Sequence, residues 1–137
     1  MGQSRIESYR KKLGKSGEKL VEKYLERKQY SITEKNYRSP FGEVDLIAET
    51  ETTMAFVEVK TRSNEKSGGL RDCIDKAKIR RIYMTAIYYL SLFPSDKEIR
   101  FDIAYLLRKG EYFLLEYHDS AFTLDYAELD IPHVRNV

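Results

Sequence analysis

At 137 residues, with 42% hydrophobic and 34% charged side chains, the chain is sized for one domain around a single core, with no need of a second. No apolar run approaches the roughly 18 to 20 residues of a membrane span, and the polar, basic start from Met1 to Lys15 lacks a signal-peptide apolar region, so a cytoplasmic protein without a membrane partner is expected. The lone Cys73 excludes an internal disulfide, and with only His118 and His133 the ligands of a usual zinc site are missing, so any metal would be held mainly by oxygen.

The formal net charge of +2 is unevenly spread: residues 1 to 37 carry ten Lys/Arg against five Asp/Glu, and residues 98 to 137 carry four against eight. A basic front half suits a polyanion, although solvated helix faces produce the same pattern.

Leu13, Leu20, Val21, Tyr24 and Leu25 recur at helical spacing among Lys, Glu and Arg, which predicts an amphipathic helix over residues 13 to 29. Ile32 and Thr33 favour a strand within Tyr30 to Tyr37, and Ser39-Pro40-Phe41-Gly42 marks a turn. Two β-type runs come next, Glu43 to Glu49 and Met54 to Thr61, joined by a short polar link as a hairpin. Ser63 to Gly69 has no apolar periodicity and reads as a loop. Ile79, Ile82, Tyr83, Ala86, Ile87 and Leu90 form the stripe of a second helix over 75 to 92, stopped near Pro94. Ile99 to Tyr105 and Tyr112 to Tyr117 make a second hairpin about Lys109-Gly110, and Leu124 to Val137 is weakly patterned. The order α-β-β-β-α-β-β belongs to an α/β or α+β sandwich.

The first hairpin carries the chemistry. If it closes around Glu51-Thr52, Asp45 faces Glu58 and Glu43 faces Lys60. Alternation then puts Val44, Leu46, Ala48, Ala55, Val57 and Val59 on one apolar face, with Glu43, Asp45, Glu58, Lys60, Ile47 and Phe56 on the other. Directly opposed residues bring their Cβ atoms to about 4.5 to 5.5 Å, so Asp45 and Glu58 repel unless one is protonated or a cation lies between them. A hard divalent ion such as Mg²⁺ resolves that conflict, keeping several waters and leaving room for phosphate oxygens. Lys60 projects from the same face and is suited to orient an attacking water or to stabilise developing charge. The competing reading is an ordinary Glu43 to Lys60 ion pair, with Asp45 and Glu58 pointing into solvent.

Phe41-Gly42-Glu43-Val44-Asp45-Leu46-Ile47-Ala48 and Phe56-Val57-Glu58-Val59-Lys60-Thr61-Arg62 closely resemble the signature of the YraN-like family of bacterial proteins. Gly14, Gly17-Glu18, Tyr24-Leu25, Asn36-Tyr37-Arg38, the Lys76 to Ile82 helix start and Arg100-Phe101-Asp102 fall in the matching order, so the likeness covers about residues 11 to 122 of a single domain, residues 1 to 137, with a tail over 123 to 137. That family is similar to the restriction-endonuclease-like PD-(D/E)xK superfamily, which includes archaeal Holliday-junction resolvases. The resemblance implies a central mixed β-sheet flanked by helices, Asp45, Glu58 and Lys60 as catalytic residues, Glu18 as an auxiliary acid, and Asp45, Glu58 and Glu18 as ligands of Mg²⁺ or Mn²⁺. The proline that precedes the signature acid in that superfamily is replaced here by Val44.

Glu18 lies at the flank of the first helix's apolar stripe, so it reads either as an acid reaching over the sheet or as an exposed helix glutamate. Lys76 shares the helical side of Ile79, Tyr83 and Ile87 and is a candidate phosphate contact or a snorkelling lysine, whereas Lys78, Arg80 and Arg81 are expected to point away. Arg62, Thr61, Arg80, Arg81, Lys11, Lys12 and Lys15 are candidate backbone contacts to nucleic acid, DNA first, or plain solvated side chains. Arg100 and Asp102 are expected to form a structural cross-strand pair, and the tyrosines to pack in the core. The leading expectation is a Mg²⁺- or Mn²⁺-dependent nuclease or junction-processing enzyme. The alternatives are a catalytically silent nucleic-acid-binding protein and a protein-protein adaptor or homodimer built on the tyrosine-rich second helix.

Overall fold

A computed structural model of the chain describes residues 5–12, 17–62 and 76–122, the first stretch through its backbone alone. Its elements are β1 (Arg5–Lys12), α1 (Gly17–Arg27), β2 (Ser31–Ser39), β3 (Gly42–Glu49), β4 (Thr53–Arg62), α2 (Lys76–Leu92), β5 (Glu98–Lys109) and β6 (Tyr112–Asp119). From Gly17 onward the order is the expected α-β-β-β-α-β-β. The expected single helix from residue 13 begins instead, within the described residues, at Gly17. Ahead of it stands a strand that hydrophobic periodicity does not reveal. β1 pairs antiparallel with β6, Arg5 beside Asp119 and Lys12 beside Tyr112, so its place is set by an open sheet edge rather than by an alternating apolar face.

The six strands form one mixed sheet in the order β1-β6-β5-β4-β3-β2. All neighbours are antiparallel except β4 and β5, which run parallel and are joined through α2, the connection that parallel neighbours require. Gly110 takes φ 57 in the tight β5–β6 turn, a left-handed conformation that glycine adopts without strain.

Among the described residues, each face of the sheet is covered by one helix. On one side Leu20, Val21, Tyr24 and Leu25 of α1 pack with Leu46, Ala48, Ala55, Val57, Ala104, Leu106, Leu115 and Tyr117. On the other, Ile82, Tyr83, Ala86 and Tyr89 of α2 pack with Val44, Ile47, Met54, Phe56 and Phe101. The buried stripe of α2 is rotated by about one position from the apolar one, because Thr85 is fully buried and its Oγ1 lies 2.9 Å from Ser39 Oγ on β2.

The register of the first hairpin is the expected one, with Leu46 opposite Val57, Ile47 opposite Phe56 and Ala48 opposite Ala55. The apolar face departs from expectation at one residue. Val44 packs under α2 instead of with Leu46 on the α1 side. The cause is a break in strand alternation at Asp45, which is paired in the ladder with neither β2 nor β4, while Asn36, across from it on β2, takes φ 51. A residue in that left-handed region bends the strand and reverses the facing of the residues beyond it.

On the α1 face of the sheet a buried polar cluster replaces the expected cross-strand pair. Arg100 and Asp102 are two apart on the same strand, β5, and therefore share a face. Arg100 Nε and Nη2 donate to the fully buried Asp102 carboxylate at 2.9 and 2.8 Å, Tyr117 Oη donates to it at 2.6 Å, and the Ser120 amide at 2.9 Å. Burial opposes the charge on Arg100, but the hydrogen bonds and charge of Asp102 outweigh it and raise the guanidinium pKa above its ordinary value. Burial also pushes the Tyr117 phenol well up, helped by the Asp102 charge. Of the tyrosines expected in the core, Tyr83, Tyr89, Tyr105 and Tyr117 are buried, whereas Tyr88 is half-buried and Tyr112, beside the β5–β6 turn, is exposed.

Candidate functional site

The site lies where β3 and β4 separate. After Leu46 and Val57 the ladder stops, and the Val59 amide donates at 2.7 Å to the Asp45 Oδ2 instead of to a β3 carbonyl. The side chain of Asp45 thus stands in for a strand that has turned away. This hydrogen bond orients the carboxylate toward Glu58, one residue before Val59.

Glu58 is 3% exposed, and its Oε2 lies 3.3 Å from Lys60 Nζ and 3.2 Å from Lys78 Nζ. Two lysines from different elements therefore grip one carboxylate oxygen. The position of Lys60 is dictated by strand alternation, since it stands two residues along β4. That of Lys78 is not dictated by the apolar stripe as read. It stands four residues before Ile82 and seven before Thr85, on the face of α2 that is buried, and Thr85 masks that face by being polar. The expectation that Lys78 points away is thereby corrected, and Lys76, expected to point toward the sheet, is exposed at the start of α2.

The acids repel one another. Burial, then the negative charge of Glu58, pushes the Asp45 pKa from the ordinary carboxylate range up to about 7; the Val59 amide works the other way, and the charge of Glu18 adds a smaller push upward. Glu18 reaches this electrostatic range because Gly17 lets the start of α1 settle onto the sheet. A Cβ on Gly17 would lie 2.5 Å from Leu106 Cδ1 and 3.4 Å from Thr61 Oγ1, so only glycine permits this approach without displacement of a fully buried leucine.

The Glu43 to Lys60 ion pair of the competing reading does not form. Glu43 stands opposite Arg38 on β2 at 4.0 Å, and Lys60 turns to Glu58. Thr61 is exposed, Arg62 Nη1 donates to the Thr61 carbonyl at 3.1 Å, and Arg80 and Arg81 are exposed on α2. Lys11 and Lys12 belong to β1, whose side chains are not described, and Lys15, the loop from Ser63 to Gly69, Cys73, His133 and the tail from residue 123 lie outside the described residues. His118 is buried on β6, with Nε2 3.6 Å from Glu116 Oε1.

Asp45 and Glu58 offer hard oxygen, and their mutual repulsion is what a cation between them would relieve. Among the described residues no group of three or more His, Cys, Asp and Glu side chains could hold a metal. Glu18 adds its charge to the surroundings of Asp45. Two carboxylates fit Mg²⁺, which keeps several waters as ligands. A cavity of about 300 Å³ lies elsewhere, at the turn end of the β3–β4 hairpin, where Tyr24, Tyr30, Thr50, Thr53, Arg100 and Tyr117 line it. Among the described residues, no helix is long and apolar enough to cross a membrane.

The sequence pattern of a family described as "Uncharacterised protein family UPF0102" matches residues 17–106, the stretch that holds α1, the central hairpin, α2 and most of β5. The chain is 37% identical over 110 residues to "UPF0102 protein THEYE_A1950" of Thermodesulfovibrio yellowstonii, a match that spans 80% of this chain and 95% of that protein. It is 42% identical over 95 residues to a "UPF0102 protein" of Desulfosudis oleivorans, covering 69% and 77% of the two chains. A "UPF0102 protein" of Shewanella oneidensis is 43% identical over 91 residues, 66% of this chain and 84% of its own. These relatives agree with the YraN-like resemblance carried by the motifs.

Proposed function

Since the chain belongs to the uncharacterised family UPF0102, its chemistry has to be read from its own side chains, and we propose that it is a Mg²⁺- or Mn²⁺-dependent nuclease acting on DNA. One observation carries this reading: Asp45 and Glu58 meet where β3 and β4 part, with Lys60 Nζ 3.3 Å from Glu58, and burial, then the charge of Glu58, raises the Asp45 pKa to about 7. A structural ion pair has no use for the second acid.

A divalent ion bound there would polarise a phosphodiester and ease formation of hydroxide from water. The remaining work falls to side chains of the protein. Val59 fixes the Asp45 carboxylate through its amide. Lys60 is placed to orient the attacking water or to neutralise charge that develops on the phosphate. Glu18 serves as the auxiliary acid that tunes Asp45. Thr61, Arg62, Lys76 and Arg80, at the end of β4 and the start of α2, are the proposed phosphate contacts; they would supply affinity without reading sequence.

The test is incubation with duplex, flap, branched and single-stranded DNA in Mg²⁺ or Mn²⁺. Cleavage by the wild-type protein that falls at least 100-fold in Lys60→Ala and Asp45→Asn is the expected result. Undiminished cleavage in those variants would rule the assignment out.

A second reading is favoured by the double lysine grip, which already neutralises Glu58 without metal. On it the protein binds nucleic acid and does not cut. It predicts salt-sensitive binding that is indifferent to divalent cations, and absence of binding at low salt would exclude it.

A further inference from the structure

Lys78 is the member of the acid-lysine cluster contributed by α2, and it approaches Glu58 from a different element than Lys60 does. A single carboxylate can balance one ammonium, yet Glu58 Oε2 holds two within 3.3 Å. The two ammoniums thus share one oxygen, and anything else that binds there must displace one of them. Lys78 is also the more exposed of the two, with 32% of its side chain accessible against 23% for Lys60, and it sits in the first turn of a helix whose Arg80 and Arg81 are exposed. A flexible four-carbon stem on a helix margin can swing its ammonium by several ångströms at little cost.

We propose that Lys78 is a positioning residue that exchanges partners: it holds Glu58 while the carboxylates carry no divalent cation, and turns to a nucleic-acid phosphate once they do. The inference rests on the metal-dependent reading above. Its physical basis is charge balance. A divalent cation on the acids would compete with both ammoniums for Glu58 Oε2, and Lys78, the more exposed of the two and carried on a separate helix, is the one that yields while Lys60 stays beside the site. The released charge stands beside the end of β4, where the phosphate would be held. Binding of cation and of nucleic acid then reinforce one another, as reciprocal linkage requires.

The experiment uses the full chain in wild-type, Lys78→Met and Lys78→Arg forms, with Mn²⁺ binding measured by calorimetry in the absence of DNA. Removing the competing ammonium should tighten Mn²⁺ binding by about 3- to 10-fold in Lys78→Met, and Lys78→Arg should stay close to wild type. Binding of a fluorescent DNA duplex is then measured against salt, with and without Ca²⁺. In the wild type Ca²⁺ should steepen the salt dependence by about one counterion, and in Lys78→Met it should not. Equal Mn²⁺ affinity and equal salt slopes in wild type and Lys78→Met would overturn the proposal, as would failure of the wild type to take up Mn²⁺ at millimolar concentration. These readouts do not depend on turnover: a wild type that couples Mn²⁺ and DNA through Lys78 but leaves DNA intact would sink the nuclease reading and leave this inference standing.

Discussion

The Val59 amide donates to the Asp45 carboxylate at 2.7 Å at the point where β3 and β4 have ceased to pair. One side chain thereby ends a ladder and presents an acid. The same hydrogen bond favours the ionised form of Asp45, and burial together with the Glu58 charge overrides it.

That balance sets a pH dependence for stability. The Asp45 pKa in the folded chain, about 7, lies above its unfolded value of about 3.9, so the native state keeps a proton that the unfolded chain releases. The contribution is fully present below pH 4 and is lost as pH rises through 7. Asp45→Asn cannot ionise and keeps an acceptor for Val59. Urea unfolding should find the variant more stable than wild type at pH 8 by on the order of 1 to 3 kcal/mol, with the gap closed at pH 4. Parallel pH profiles for the two proteins would refute this.

On the α1 face of the sheet, Arg100→Met should be among the most damaging single changes. It leaves Asp102, fully buried, with only Tyr117 and the Ser120 amide as partners. Loss of one member of a buried pair costs about 3 to 5 kcal/mol, and Tyr117→Phe should cost about 1 to 2 kcal/mol. The Arg100→Met, Asp102→Asn double variant should be less destabilised than the two singles added together. Additive losses in a double-mutant cycle would show that the pair is not coupled.

Gly17→Val tests how α1 is seated. The added side chain would meet Leu106 and Thr61, forcing the start of the helix off the sheet. Overpacking of this kind costs about 1 to 3 kcal/mol, and it should also draw Glu18 away from Asp45. The Asp45 pKa, read from carboxyl carbon chemical shifts, should fall in the variant; an unchanged value would mean that Glu18 exerts no influence there.

Glu58→Ala leaves Lys60 and Lys78 facing each other without the anion that separates them. The variant should lose about 1 to 3 kcal/mol at low salt and recover part of it in about 0.5 M NaCl, because salt screens the repulsion of the two ammoniums. A melting temperature that does not respond to salt would count against the two-lysine grip on Glu58.

Much of the arrangement is legible in the sequence wherever side chains alternate. Leu46, Ile47, Val57 and Phe56 define both the register and the two faces of the hairpin, and Asp45, Glu58 and Lys60 come to one end of it, Glu58 and Lys60 by alternation along β4 and Asp45 through the break in β3. Alternation misplaces Val44 because nothing in the letters announces that Asn36 takes a left-handed conformation and breaks the pattern. Lys78 escapes a reading of α2 that judges its face from apolar residues, since buried Thr85 does not register as one. Periodicity likewise cannot find β1, a polar strand chosen by its neighbour's vacant edge.

The break at Asp45 also governs which length changes the chain can absorb. Val44 is anchored in the layer beneath α2 and Leu46 in the layer beneath α1, each essentially without exposure. Inserting or deleting a residue in this part of β3 would unseat a buried side chain on both sides at once, whereas the exposed Glu51-Thr52 link can lengthen with little penalty. Among relatives, variation in length should therefore collect at that link and be purged from Val44 to Leu46, so that the acid keeps its distance from Glu58 even where the surrounding sequence drifts.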